Sequence, residues 1–247
     1  MGIEPTFFII SNMSTIMILL VLCLIQSLIG VGVLLFGTPI FLLLGKEFYE
    51  VLVLLLPVSA FISGITFISN PYSLFVKSEY TSLCIASILG TILSTQYLEN
   101  LIVLFIAFLL MASVALTTLK INLLTNFIQT YRHISIGVLG FMHGMSNQGG
   151  ILLVWLVRMN EVSKEITRST IASAYALVAL MQIGTLIALD SKRFVSLFSI
   201  ENITIPIIGF YLGNIIFQNI KQKVFDRLIT LMIVIFINLL ILKYVFG

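Results

Sequence analysis

The chain has 247 residues, 60% of them hydrophobic and 9% charged, with a mean hydropathy of +1.17 and a formal net charge of +3. Soluble domains carry charge on about a quarter of their residues, so this composition excludes a soluble domain with a single anchor. The apolar runs are continuous rather than alternating, which argues against a β-barrel and for an all-α, polytopic membrane protein. The Lys and Arg residues stand mainly in short loops between those runs, a pattern that membrane topology explains and nucleic-acid binding does not.

In chain order, the opening MGIEPTFF lacks the basic start of a cleavable signal, so the first apolar segment is read as retained. That segment runs from about Thr15 to Leu44, longer than the roughly 20 residues of one perpendicular crossing. Its middle holds Gln26, Ser27, Gly30, Gly32, Gly37, Thr38 and Pro39. Glycine and proline weaken a helix and free backbone groups there, so either a broken span or a re-entrant hairpin is expected. A second segment covers about Val51 to Ser69 and ends at the turn signal Asn70-Pro71. The third runs from Tyr80 to Tyr97 with Gly90 and Ser94 four apart, and the fourth spans Leu101 to Leu119. Residues 120–133 read as an interfacial connector.

The fifth segment, Ile134 to Val157, contains GFMHGMSNQGGILLVW from Gly140 to Trp155. His143, Ser146, Asn147 and Gln148 make a polar patch inside apolar sequence. Because unpaired polar groups are costly in hydrocarbon, the patch should face protein or a water-filled cavity. A charged loop, Arg158 to Arg168, leads to a sixth segment, Ser169 to Leu189, rich in polar and small residues. The seventh, Asn202 to Asn219, carries Pro206 and the pair Gly209/Gly213, and the eighth runs from Leu228 to Phe246. Cys23 and Cys84 lie inside apolar segments, where free cysteine is common.

This succession repeats. Segments one and five are both glycine-interrupted, three and seven both carry a small-xxx-small pair, and four and eight are plain spans. The chain therefore reads as one transmembrane domain over 1–247, with repeats at about 15–119 and 134–246. Two interrupted segments at matching positions are a pointer to a transporter's binding site. If both interrupted segments cross, the basic residues divide six to seven between the sides. If both dip in and return, Lys77, Lys120, Arg132, Arg158, Lys164, Arg168, Lys221, Lys223 and Arg227 share one side, opposite Lys46, Lys192, Arg193 and Lys243. The second arrangement gives a positive-inside bias, makes the repeats inverted, and puts both termini outside the cytoplasm.

At these residues the chain resembles the sulfite-exporter TauE/SafE family of membrane transporters. Gly30-Val31-Gly32 followed by Pro39 is similar to that family's first-half pattern, though Val33-Leu34-Leu35 stands where a run of glycines is common. His143-Gly144, Ser146-Asn147 and Gly149-Gly150 resemble a second-half glycine motif, and Gly209 to Gly213 has the look of its tail. The resemblance covers about Gln26 to Tyr244. It implies export or exchange of a small inorganic or organic anion, sulfur-containing ones included, in the plasma (inner) membrane.

The residues themselves agree with an anion. Broken-helix N-termini supply N–H donors and partial positive charge, and the segment interiors lack the carboxylates expected of a cation pump. The candidate substrate residues are Ser27, Gly30, Gly32, Thr38, Pro39, Ser146, Asn147, Gln148, Gly149 and Gly150, with His143 as candidate proton-coupling residue. Mutual hydrogen bonding across packed helices is the competing explanation for the polar ones. No metal or cofactor is expected, since His133 and His143 lack a third ligand. No phosphate-binding loop occurs for ATP drive. The partners expected are the bilayer and a small anion, with a homo-oligomer admissible. An intramembrane enzyme would need Ser146 as nucleophile near His143, yet no Gly-x-Ser-x-Gly or acidic partner accompanies them. A non-transporting scaffold or accessory subunit is the other alternative.

Overall fold

The computed structural model of the chain describes residues 5–97, 128, 130–198, 201–228 and 230–231. The fourth and eighth apolar segments and the connector at 120–133 fall wholly or mostly outside them. All regular structure among the described residues is α-helical. The elements are α1 (Pro5–Ile29), α2 (Val33–Leu43), α3 (Phe48–Ser69), α4 (Lys77–Gln96), α5 (Arg132–Ser146), α6 (Gly150–Arg158), α7 (Lys164–Leu197) and α8 (Glu201–Asn219). Two of them, α3 and α7, are long and apolar enough to cross a membrane.

The interrupted segments break where the residues permit it. Gly30 adopts φ +94° and Asn147 φ 62°, left-handed conformations that glycine tolerates freely and asparagine better than most residues. Each closes its helix alike: Gly30 N–H donates to Gln26 O and Asn147 N–H to His143 O, both at 2.7 Å. Each next helix then opens with a matching bond, Phe36 N–H to Gly32 O at 2.9 Å and Leu153 N–H to Gly149 O at 3.0 Å.

Both breaks reverse the chain. A Cβ on Gly37 would lie 3.1 Å from Leu22 Cδ1, although fifteen residues of straight helix would separate the two by about 22 Å. A Cβ on Gly149 would lie 2.9 Å from Leu139 O. So α1–α2 and α5–α6 fold back as helical hairpins.

The hairpins open toward different ends of the bundle. Beside the exit of α2, Tyr49 donates to the carbonyls of Leu186 and Asp190, at 3.5 and 3.2 Å, and Arg193 pairs with Glu47 at 2.9 Å. Beside α5 and α6, Arg132 pairs with Glu79 at 2.5 Å and Arg158 with Asp226 at 3.6 Å. That second end also holds the α3–α4 loop, bonded through Asn70 O and Leu74 N–H to Ser169 and Thr170 at the start of α7.

The strongest helix contacts are symmetric between α1–α4 and α5–α8. The main contacts join α4 to α5, α1 to α8 and α3 to α7. Exchanging α1–α4 with α5–α8 turns the first two pairs into each other and leaves the third unchanged. Glycine permits close approach on both outer seams. Gly140 and Gly144 of α5 lie against Leu83 and Ser87 of α4, while Gly209 and Gly213 of α8 lie against Cys23 and Ser27 of α1.

Helix starts differ from the apolar runs. α7 begins at Lys164, not Ser169, because Ser163 caps it, its side chain accepting from Ile166 N–H. The charged stretch before Ser169 is therefore partly helical. Near its other end α7 is interrupted at Asp190, which has φ −153° and ψ 86°. The Asp190 carboxylate then accepts from Arg193 N–H at 2.9 Å and caps the last turns.

Large apolar side chains, Met17, Ile85, Leu89, Leu180, Ile207 and Ile208 among them, are exposed, whereas Gln26, Thr38, Ser59, Thr91, Asn147 and Gln182 are buried within a largely apolar core.

Candidate functional site

The two hairpin tips meet. Asn147 Nδ2 donates to Thr38 Oγ1 of α2 at 2.9 Å, and Asn147 Oδ1 accepts from Gln182 Nε2 of α7 at 3.2 Å. Gln148 Nε2 reaches Leu35 O of α2 at 3.3 Å and Ser146 O at the same distance. A Cβ on Gly150 would lie 2.9 Å from Val31 Cγ2 in the other tip and 3.0 Å from Tyr175 Cζ. Glycine there is what lets the tips and the phenol of α7 converge. The His143 ring stands edge-on to Tyr175, with centroids 4.9 Å apart.

The candidate residues thus separate into groups. Thr38, Ser146, Asn147, Gln148 and Gly150 come together, with Pro39 in α2 beside Thr38. Gly30 packs on the backbone of Arg168, Gly32 on Gln26, and Gly149 on His143, so these three shape the tips. Ser27 lies elsewhere: its hydroxyl donates to Phe210 O at 2.9 Å, on the seam with α8. Ser146 Oγ donates to Met142 O at 2.8 Å and accepts from Gln148 N–H at 3.3 Å, closing the end of α5.

Gln26 holds the first tip together. Its Oε1 accepts from Val33 N–H at 2.9 Å, capping α2. Its Nε2 faces Ser59 O at 3.1 Å and Ser59 Oγ and Ser63 Oγ at 2.9 Å each. It ties the tip to α3.

Several buried polar atoms around the second tip have no hydrogen-bond partner among the described residues: His143 Nε2, Gln148 Oε1, Tyr175 OH and Gln182 Oε1. Buried polar groups are paired in the great majority of cases, so a cluster of free ones marks a place for a polar ligand or water. Tyr175 and Gln182 were legible only as polar residues of a protein-facing segment. Their spacing of seven, which keeps both on one face of α7, is the signal that could have assigned them. Among the described residues no group of three or more His, Cys, Asp or Glu is arranged to hold a metal.

No family model, no curated protein and no solved structure matches the chain. The chemistry at the tips therefore carries the functional argument. The first-turn N–H groups of α6 lack intrahelical partners by construction. Glu79 is the one acidic residue buried among the described residues, and it pairs with Arg132. The tips therefore offer N–H donors, amide carbonyls, a phenol and an imidazole, with no fixed negative charge seen beside them.

Proposed function

We propose that this chain is a multi-pass protein of the plasma (inner) membrane and a secondary transporter, an exporter, of a small anion. In this reading the regions 15–119 and 134–246 are inverted repeats, and the two hairpins are re-entrant from opposite faces. The observation that carries it is the meeting of the tips around His143 Nε2, Gln148 Oε1, Tyr175 OH and Gln182 Oε1, all buried and unpartnered. Helix N-termini favour an anion. The free amide carbonyls add a condition, since they accept hydrogen bonds. The ligand must also donate, as a hydrated or protonated oxyanion does. The resemblance to the sulfite-exporter family supplies the substrate range, inorganic and organic, sulfur-containing anions among them. Exposed Tyr97 and Tyr131 at helix ends, and Tyr72 in the α3–α4 loop, fit an interfacial aromatic belt.

The accessory-subunit reading draws on a different observation: Thr38, Asn147 and Gln182 already hydrogen-bond one another. Liposome flux decides between them. The wild-type chain is expected to move at least one of sulfite, sulfate, acetate or a short sulfonate. Asn147→Ala should lower that flux about tenfold or more, since it removes the bridge between tips and replaces asparagine at positive φ with a residue that tolerates the left-handed region less well, at a cost of up to about 1 kcal/mol. Asn147→Gly, which keeps the backbone relaxed, isolates the side-chain contribution. Absence of wild-type flux for every anion supports the accessory reading. The same assay across pH with His143→Gln reads proton coupling, and an unchanged pH profile removes that role. Terminal tags should be accessible from outside the cell, and tags found in the cytoplasm would overturn the inverted arrangement.

A further inference from the structure

Arg168, in the second turn of α7, is 5% exposed and is the most deeply buried cation among the described residues. Arg132, Arg158 and Arg193 each face a carboxylate. Arg168 does not. Its two terminal nitrogens both donate to one neutral atom, Asn214 Oδ1 of α8, at 3.2 and 3.1 Å. Its Nε has no hydrogen-bond partner among the described residues. The guanidinium lies over the Phe217 ring at 4.0 Å, and Lys164 Nζ, one turn earlier, lies over the same ring at 4.6 Å. Lys164 donates to Phe217 O and Ile220 O, and the carboxylate nearest to it, Glu165 at 3.9 Å, is 45% exposed. Two cations thus stand against one aromatic ring with little to neutralise them.

A guanidinium binds an oxyanion through two parallel N–H groups on one edge. Asn214 occupies the fork of the terminal nitrogens, which leaves the edge that carries Nε. A buried cation without a counter-charge is strongly disfavoured unless something pairs with it. We propose that Arg168 anchors an oxyanion-binding site between α7 and α8, taking a small sulfate-like or carboxylate anion on its Nε edge. Arg168, Tyr175 and Gln182 follow each other at intervals of seven on α7, about 10.5 Å apart along the axis. Each carries an unpartnered buried atom. The site therefore begins a polar stripe that runs from the first hairpin tip, where Gly30 packs on the Arg168 backbone, to Asn147 of the second, bonded by Gln182. Binding at Arg168 stands by itself, and only its place on a route to the tips rests on the transport reading.

The test is binding by the full chain, purified in detergent, at constant ionic strength. Sodium sulfate and sodium acetate are the probes, and the melting temperature is the readout. For the wild type, at least one of them should raise it saturably. Arg168→Lys, which keeps the charge and loses the fork, should weaken that binding about tenfold or more. Arg168→Met should abolish the shift, while its melting temperature without anion equals or exceeds that of the wild type, because an uncompensated buried charge is gone. Loss of stability in Arg168→Met, with a wild type indifferent to both anions, would reduce Arg168 to a packing contact with Asn214 and Phe217 of α8. An unchanged affinity in Arg168→Lys would equally overturn the proposal. Phosphatidylglycerol in mixed micelles is the further arm: a shift with that lipid, through Arg168 and without any effect of sulfate or acetate, would assign the site to a headgroup and refute the small anion. Binding without flux leaves this site intact while removing the transporter. Flux without Arg168-dependent binding does the reverse.

Discussion

Gly144→Val should destabilise the protein by more than about 3 kcal/mol, measured by thermal unfolding in detergent. A Cβ at Gly144 would sit 2.8 Å from both the carbonyl carbon and the Cα of Ser87 in α4. Those are backbone atoms, which cannot rotate away as a flexible side chain does. The helices would have to separate, breaking the bond from Thr91 Oγ1 to Gly144 O at 3.2 Å and opening the seam where Gly140 meets Leu83 and Gly90 meets Met145. The same cross-seam logic applies at Gly213, where a Cβ would lie 2.7 Å from Leu24 O. An internal control has the opposite sign. Gly64 and Gly184 are helical and nothing lies within 4 Å of a Cβ at either. Alanine there should be neutral or stabilising by up to about 1 kcal/mol, since it restricts the unfolded chain and clashes with nothing. Equal losses at Gly144 and Gly64 would show that close helix approach is not what the seam glycines provide.

Gln26→Ala should cost about 2–4 kcal/mol and loosen the first hairpin selectively. The side chain is fully buried and joins three elements: it caps α2 through Val33 N–H and holds α3 through Ser59 and Ser63. Its two amide hydrogens are shared among three acceptors, so the contacts do not add as separate bonds. Interhelical hydrogen bonds in membranes average only about 0.6 kcal/mol each, which sets the lower limit. The upper limit comes from what the alanine leaves behind, an uncapped Val33 N–H and bare oxygens on α3 in a site with no room for bulk water. Protease sensitivity or hydrogen exchange should rise around residues 26–35 more than in α7. A uniform loss across the bundle, or none, would count against Gln26 as the clamp of the first tip.

The symmetric counterpart of Gln26 explains why the two tips differ in chemistry. Closure bonds pair Gly30 with Asn147 and Gln26 with His143. Where the first half has an amide bonded on both sides, the second has an imidazole with a free Nε2. The first tip is sealed and the second is left with open polar atoms. The two tips close with the same backbone bonds, and the difference of one residue type changes what each tip can bond.

The backbone of these tips was legible in the sequence. Glycine at 30 and 32, and asparagine followed by two glycines at 147–150, are local signals, because a left-handed residue and a helix break are set by the residues that make them. The apolar runs likewise marked α3 and the middle of α7, the two helices long and apolar enough to cross a membrane. Helix ends were less legible. α3, α4 and α7 all begin before their apolar runs, at Phe48, Lys77 and Lys164, because a helix continues past an apolar run on capping and charge pairing alone.

Only tertiary packing decided which polar residues face one another. Ser27 and Thr38 are alike in chemistry and both lie near a break, yet one bonds α8 and the other Asn147. Nothing local separates them, since the rotation of α1 against α8 and of α2 against α5 sets the outcome. Arg168 read as part of a charged loop, and the Ser163 cap carries it instead into a helix and under Phe217. The sequence by itself determined that this chain is helical, apolar outside and broken twice at matching places. The tertiary structure decided that the chain folds back at both breaks, that their tips touch across more than a hundred residues of chain, and that a buried arginine faces no carboxylate among the described residues. The reason is one of range: dihedral preference and hydropathy act within a few residues, whereas a buried hydrogen-bond partner is chosen by how whole helices pack.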